Sequence, residues 1–97
     1  MAKGYWIARV TVTDPEAYKL YVAANGKAFE KYGARFVVRG GKFVCKEGDS
    51  RERNVVIEFP SYEDAVACYE SPEYQEALKL RLNAATSDAI IIEGYDG

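Results

Sequence analysis

Three stretches of this chain, Phe36-Val37-Val38, Val55-Val56-Ile57 and Ile90-Ile91-Ile92, are apolar at every consecutive position. Side chains along a strand point to opposite faces in turn, so each triplet puts large hydrophobes on both faces of the sheet it joins. A sheet with helices on one side and water on the other reads instead as every second residue polar. Both faces of this sheet therefore need cover, and 97 residues supply little of it. A domain of this size buries only roughly 60–65% of the surface its unfolded chain exposes. Residues 1–97 hold material for one core and so for one domain. The remaining face calls for a second chain, and a two-fold homodimer is the commonest way to provide it.

The rest of the pattern supplies the helices. Gly4 to Val12 alternates, with Trp6, Ala8, Val10 and Val12 on one face and Tyr5, Ile7, Arg9 and Thr11 on the other. Thr13-Asp14-Pro15-Glu16 then carries the signs of a helix start: capping oxygens, a first-turn proline and Glu16 three residues after Thr13. Tyr18, Tyr21, Val22, Asn25, Ala28, Phe29 and Tyr32 keep the spacing of one helix face, and Gly33 ends it. Phe36 to Val38 reads as a second strand, Gly40-Gly41 as a tight turn, and Phe43-Val44-Cys45 as a short hairpin partner. Lys46 to Arg53 is a polar loop, and Arg53 to Phe59 a third strand.

Ser61 with Asp64 resembles a capping box ahead of a short helix bearing Tyr62, Ala65, Val66 and Tyr69. Ser71-Pro72 interrupts it and caps another, whose inward stripe is Tyr74, Ala77, Leu78, Arg81, Leu82 and Ala85. Ala89 to Glu93 is the last strand and Gly94 to Gly97 a tail. The order is strand, helix, strand, strand, broken helix, strand: an α+β, ferredoxin-like split βαβ arrangement, with an antiparallel sheet and helices on one face.

In the strand order usual for that arrangement, Arg9 comes near Glu58 and Glu93, with Arg39 one strand further out. These charges pair internally and fix dimer register, orient a small anionic or carbonyl ligand, or reach solvent at the strand ends.

Composition narrows the chemistry. Thirteen basic and fifteen acidic residues give a net charge of -2 with no run of one sign, unlike a surface for nucleic acid or anionic membrane. The N-terminus lacks the apolar run of a signal peptide, and no stretch approaches the roughly 20 apolar residues of a membrane span. Cys45 and Cys68 have no CxxC spacing and read as two buried thiols of a cytoplasmic protein. The chain has no histidine, which removes the commonest general base and transition-metal ligand and the usual haem ligand. No metal site and no cofactor is expected, and no catalytic residue can be named.

The segments GYWIARV, DPEAYKLYVAANGKAF, RFVVRGGKF, RNVVIEFPSYEDAVACYESPEYQEA and IIIEG together closely resemble the domain-of-unknown-function family numbered thirteen-thirty, within the dimeric α/β-barrel superfamily. The resemblance spans almost the whole chain. It implies a ferredoxin-like subunit and a homodimer whose two sheets face each other in a barrel with helices outside. Superfamily relatives include cofactor-independent monooxygenases acting on polycyclic phenols, lactone isomerases, haem-degrading enzymes and ligand sensors, and kinship that broad does not choose among them. The missing histidine departs from the haem-binding branches.

Asn25 and Arg81 interrupt apolar helix stripes, and buried polar groups need partners. They either bond to nearby backbone and carboxylates or line a pocket walled by Tyr18, Tyr21, Tyr69, Tyr74 and Trp6, a set that reads equally as plain core. Ser71 reads as a helix cap and Gly40-Gly41 as a turn. The candidate ligand-binding residues are thus Asn25, Arg39, Arg81, Tyr18 and Tyr69. They suit a small aromatic or carbonyl metabolite, bound or transformed in the manner of a cofactor-independent monooxygenase or an isomerase. The other reading is a non-catalytic dimeric accessory or ligand-sensing module. RNA-recognition modules share the strand order but display basic and aromatic residues on the sheet; this sheet is aliphatic.

Overall fold

Each helix begins where a short polar side chain takes up a free N–H group of the first turn. In the structure, a computed structural model that describes residues 2–97, Asp14 Oδ1 accepts from Ala17 N (3.2 Å) at the start of α1 (Pro15–Lys31). Ser61 Oγ accepts from Asp64 N (3.0 Å) at α2 (Tyr62–Glu70). Ser71 does two jobs: its Oγ accepts from Tyr74 N (3.1 Å) to open α3 (Pro72–Leu82) and donates to Cys68 O (2.7 Å) to close α2.

The strands β1 (Gly4–Val12), β2 (Arg35–Arg39), β3 (Arg53–Phe59) and β4 (Ala85–Glu93) form one antiparallel sheet in the order β2-β3-β1-β4. This is the ferredoxin-like arrangement, with helices packed on one face. Trp6 Nε1 donates to Ala65 O (2.8 Å), and the indole meets Phe29 and Phe59 at 5.2 Å, Tyr69 at 5.6 Å and Tyr74 at 4.9 Å between ring centroids. One residue of β1 thereby ties α1, α2, α3 and β3 into a single core.

Four sequence expectations fail here. Phe43-Val44-Cys45 forms no strand: Gly40 N still bonds to Asn54 O (2.9 Å), so the chain follows β3 at that point instead of folding back on β2. Cys45 is consequently exposed, and only Cys68 is a buried thiol; burial pushes the latter's pKa up to about 12. The last strand begins at Ala85, ahead of the expected Ala89, because Ala84 O accepts from Thr13 N and Asp14 N and delivers the chain straight onto the end of β1. The polar run Thr86-Ser87-Asp88 masked those residues, and Leu82, at the helix end, is exposed where the stripe placed it inward.

The face away from the helices carries a hydrophobic band that crosses every strand: Val38 opposite Val56, Val56 opposite Ile7, Ile7 opposite Ile90. Ile90 and Ile92 are 55% and 46% exposed, and Val37 and Val38 43% each. Ion pairs flank the band, Glu58 with Arg35 (3.1 Å) and Lys3 (3.3 Å) at one end and Arg51 with Asp88 (2.9 Å) at the other.

Gly4 is the tightest joint between sheet and helices, since a Cβ there would collide with the backbone of Ser61 and Tyr62. Gly4→Ala is expected to lower stability by about 1–3 kcal/mol in urea unfolding. Gly26→Ala, in α1 with open space around it, is expected to raise stability by up to about 1 kcal/mol.

Candidate functional site

A cavity of about 240 Å³ lies between the helices and the sheet. Its walls follow from two periodicities. The helical stripe of α1 sends Tyr18, Tyr21, Asn25 and Phe29 toward the sheet, and the two-residue period of the strands sends Trp6, Ala8, Val55 and Ile57 to meet them. Tyr69 of α2 and Tyr74 and Arg81 of α3 complete it.

All five candidate residues from the sequence, Asn25, Arg39, Arg81, Tyr18 and Tyr69, line this cavity. Arg39 reaches it for a reason the sequence conceals. Phe36 pairs with Ile57 and Val38 with Val56, which leaves Val37 as an unpaired bulge residue. The extra residue shifts the alternation, so Arg39 comes opposite Val55 on the helix side, where its guanidinium lies over the Phe36 ring at 4.2 Å.

The expected cluster of Arg9 with Glu58 and Glu93 does not form. Arg9 sits opposite Asn54 and Asp88, whereas Glu58 and Glu93 sit opposite Tyr5 and Gly4 toward the other end of β1. Arg9 instead donates to Asp49 O (2.9 Å) and Asn54 Oδ1 (3.4 Å). Burial acts to raise the Glu58 pKa, but hydrogen bonds and charge from Lys3 and Arg35 outweigh it and hold the carboxyl below its usual range. Arg9 and Glu58 belong to the outer face, and neither they nor Glu93 line the cavity.

Arg53 was missed. It stands at the junction of loop and strand, and its signal was the two-residue period counted back from Ile57 through Val55. Its Nε is buried without a hydrogen-bond partner, and its guanidinium lies 5.9 Å from the centre of the Tyr18 ring. Buried Arg81 has its guanidinium 5.7 Å from the Tyr21 ring centre. Ring faces of this kind return about 0.5–2 kcal/mol per cation.

Next to Arg81, the hydroxyls of Tyr21 and Tyr74 are 2.8 Å apart. Each hydroxyl has one hydrogen, so whichever phenol accepts in that bond retains its own O–H for another partner. Burial raises the pKa of both phenols, and for Tyr74 the neighbouring Tyr21 raises it further. Burial works against the charge of Arg81, but the Tyr74 and Tyr21 oxygens more than offset it, so Arg81 stays fully cationic. Apolar walls with convergent N–H and O–H donors can orient a carbonyl or stabilise an oxyanion. Among the described residues, no group of cysteines and carboxylates is placed to hold a metal ion, and no helix is long and apolar enough to cross a membrane.

Residues 3–95 match the family model described as a domain of unknown function, DUF1330. No curated protein is significantly similar to the chain in sequence. Among solved structures, a protein of unknown function from Rhodopseudomonas palustris aligns over 99% of this chain and 85% of its own, with TM-score 0.79 and 23% identity. SnoaB, a cofactor-independent oxygenase from Streptomyces nogalater, aligns over 100% of this chain and 97% of its own, with TM-score 0.66 and 15% identity. A dimeric ferredoxin-like protein of unknown function from Thermobifida fusca aligns over 95% and 89%, with TM-score 0.60 and 16% identity. Identities this low establish the shared fold alone.

Raised phenol pKa values mean that the folded state keeps protons the unfolded chain gives up above the usual 10.0. The stabilisation is whole below that pH and is lost as pH climbs past it. Urea midpoints are therefore expected to fall between about pH 9 and 11, and less steeply in Tyr74→Phe.

Proposed function

The chain belongs to the DUF1330 family of domains of unknown function, and from that premise we propose that it is a cytoplasmic homodimer that binds a small aromatic or carbonyl compound in the cavity between its helices and sheet. The observation that carries this reading is the convergence of Asn25, Arg39, Arg81, Tyr18 and Tyr69 on one apolar-walled space. A core this small leaves about 240 Å³ open.

Dimerisation is supported by the hydrophobic band on the outer face, which has the apolar centre and charged rim of a protein interface. The Thermobifida fusca structure of the same fold is described as dimeric. In this assembly two sheets face each other and the helices lie outside, as a dimeric α/β barrel.

The Tyr21–Tyr74 hydroxyl pair beside Arg81 favours a catalytic version of the reading. Oxygenase-like chemistry, of which SnoaB is an example on this fold, and isomerase-like chemistry share one requirement, a phenolate or enolate oxygen held in a dry, donor-rich pocket. Asn25, Tyr74 and Arg81 supply such donors. A module that only senses its ligand needs the binding and not the turnover.

Two measurements test the proposal. Sedimentation at micromolar concentration is expected to give a dimer, and Ile92→Lys to weaken association by roughly thirtyfold or more; a stable single subunit in the unsubstituted protein would sink the barrel. Screening single-ring phenols, ketones and acids by thermal shift is expected to find compounds that raise Tm, with the rise lost in Asn25→Leu. If nothing in the screen moves Tm or is turned over, the binding reading is wrong.

A further inference from the structure

Around the cavity the charge is of one sign. Arg39, Arg53 and Arg81 line it, and no aspartate or glutamate does among the described residues. Elsewhere the chain pairs its cations in the ordinary way, Arg35 with Glu58 and Arg51 with Asp88. The three cavity arginines have no carboxylate within salt-bridge distance among the described residues; each lies against an aromatic ring, Phe36, Tyr18 or Tyr21. A ring face orients a guanidinium but leaves its edge N–H donors open, and Arg53 Nε is both buried and without a partner.

Two of the arginines, Arg39 and Arg53, are also neighbours. Arg39 lies opposite Val55, two residues from Arg53 on the same face of β3, so the two are diagonal neighbours across adjacent strands. The Tyr18 and Tyr21 rings, 5.4 Å apart, run from Arg53 to Arg81. Gly40 adds space, since a Cβ there would meet Arg53 Nη1 at 2.7 Å.

We propose that the cavity takes a small organic carboxylate, its anionic group received by the open guanidinium edge of Arg53 with Arg39 beside it, and its apolar body laid against Trp6, Phe29 and Ile57. This rests on the cavity being a binding site and narrows the ligand in charge and size. Guanidinium edges match a carboxylate bidentately, which a neutral carbonyl cannot exploit. The volume, about 240 Å³, is enough for one ring with a short arm.

The chain's single tryptophan is Trp6, in the cavity wall, so its emission reports occupancy. Titrating the full chain with phenylacetate and with phenylacetamide compares the same body with and without charge. Phenylacetate is expected to bind at least about tenfold more tightly, with the preference reduced in Arg39→Met and lost in Arg53→Met. Arg53→Lys serves should the methionine variant not fold, and Lys19→Met, on the exposed face of α1, is expected to change nothing. Equal or tighter binding of the amide overturns the carboxylate assignment while leaving a binding cavity. So does an acid preference undiminished in all the cavity-arginine variants. No response to either compound at millimolar concentration overturns the assignment, and silence across the wider thermal-shift screen removes the cavity reading as well.

Discussion

The indole of Trp6 is where the layers of this molecule meet. It rises from the central strand β1, bonds to the backbone of α2 and stands edge-on to rings from α1, α2 and α3. Replacing a buried tryptophan by alanine costs about 3–5 kcal/mol in general, and here it would also unlink the helices from one another. The same rigidity shapes the cavity. Aromatic rings fix their neighbours at set distances and angles and cannot flow into irregular space as a methionine would. A core built on Trp6, Phe29, Phe59, Tyr69 and Tyr74 therefore holds its form around an opening.

The sheet divides the chemistry of the chain in two. On the helix side the cations lie against aromatic rings and the hydroxyls bond to each other. On the other side the charges meet opposite charges at the ends of a hydrophobic band. The division is drawn within each strand, since Val56 faces outward between Val55 and Ile57, both buried in the core. Association and ligand binding thus draw on neighbouring residues of the same segments.

Much of this was legible in the sequence. Helix positions, the order of elements and the caps at Asp14, Ser61 and Ser71 follow from local signals: short polar side chains, first-turn prolines and apolar spacing. The candidate residues on helices, Tyr18, Asn25, Tyr69 and Arg81, were legible because a helix fixes which face each residue takes. Cross-strand partners were harder. They depend on register, which pairing decides and spacing alone does not; Arg9 was therefore matched with carboxylates that lie at the far end of its strand. Arg39 was grouped with the right cavity but placed in the wrong charge cluster, since a bulge leaves no mark in a run such as Phe36-Val37-Val38. Polar residues hid the start of β4, and apolar ones gave Phe43-Val44-Cys45 the look of a strand it does not form.

The bulge at Val37 has a bearing on how such a protein can change over generations. Loss of that one codon would straighten β2 and still leave Val38 opposite Val56 and Arg39 opposite Val55. A single inserted codon ahead of Arg39, not taken up as a further bulge, would instead bring Arg39 opposite Asn54, subtracting a cation from the interior and setting it on the outer face. Length variation in this edge strand is thereby linked to the identity of two surfaces at once, whereas the exposed segment 41–49 that follows it is free to gain or lose residues without that penalty.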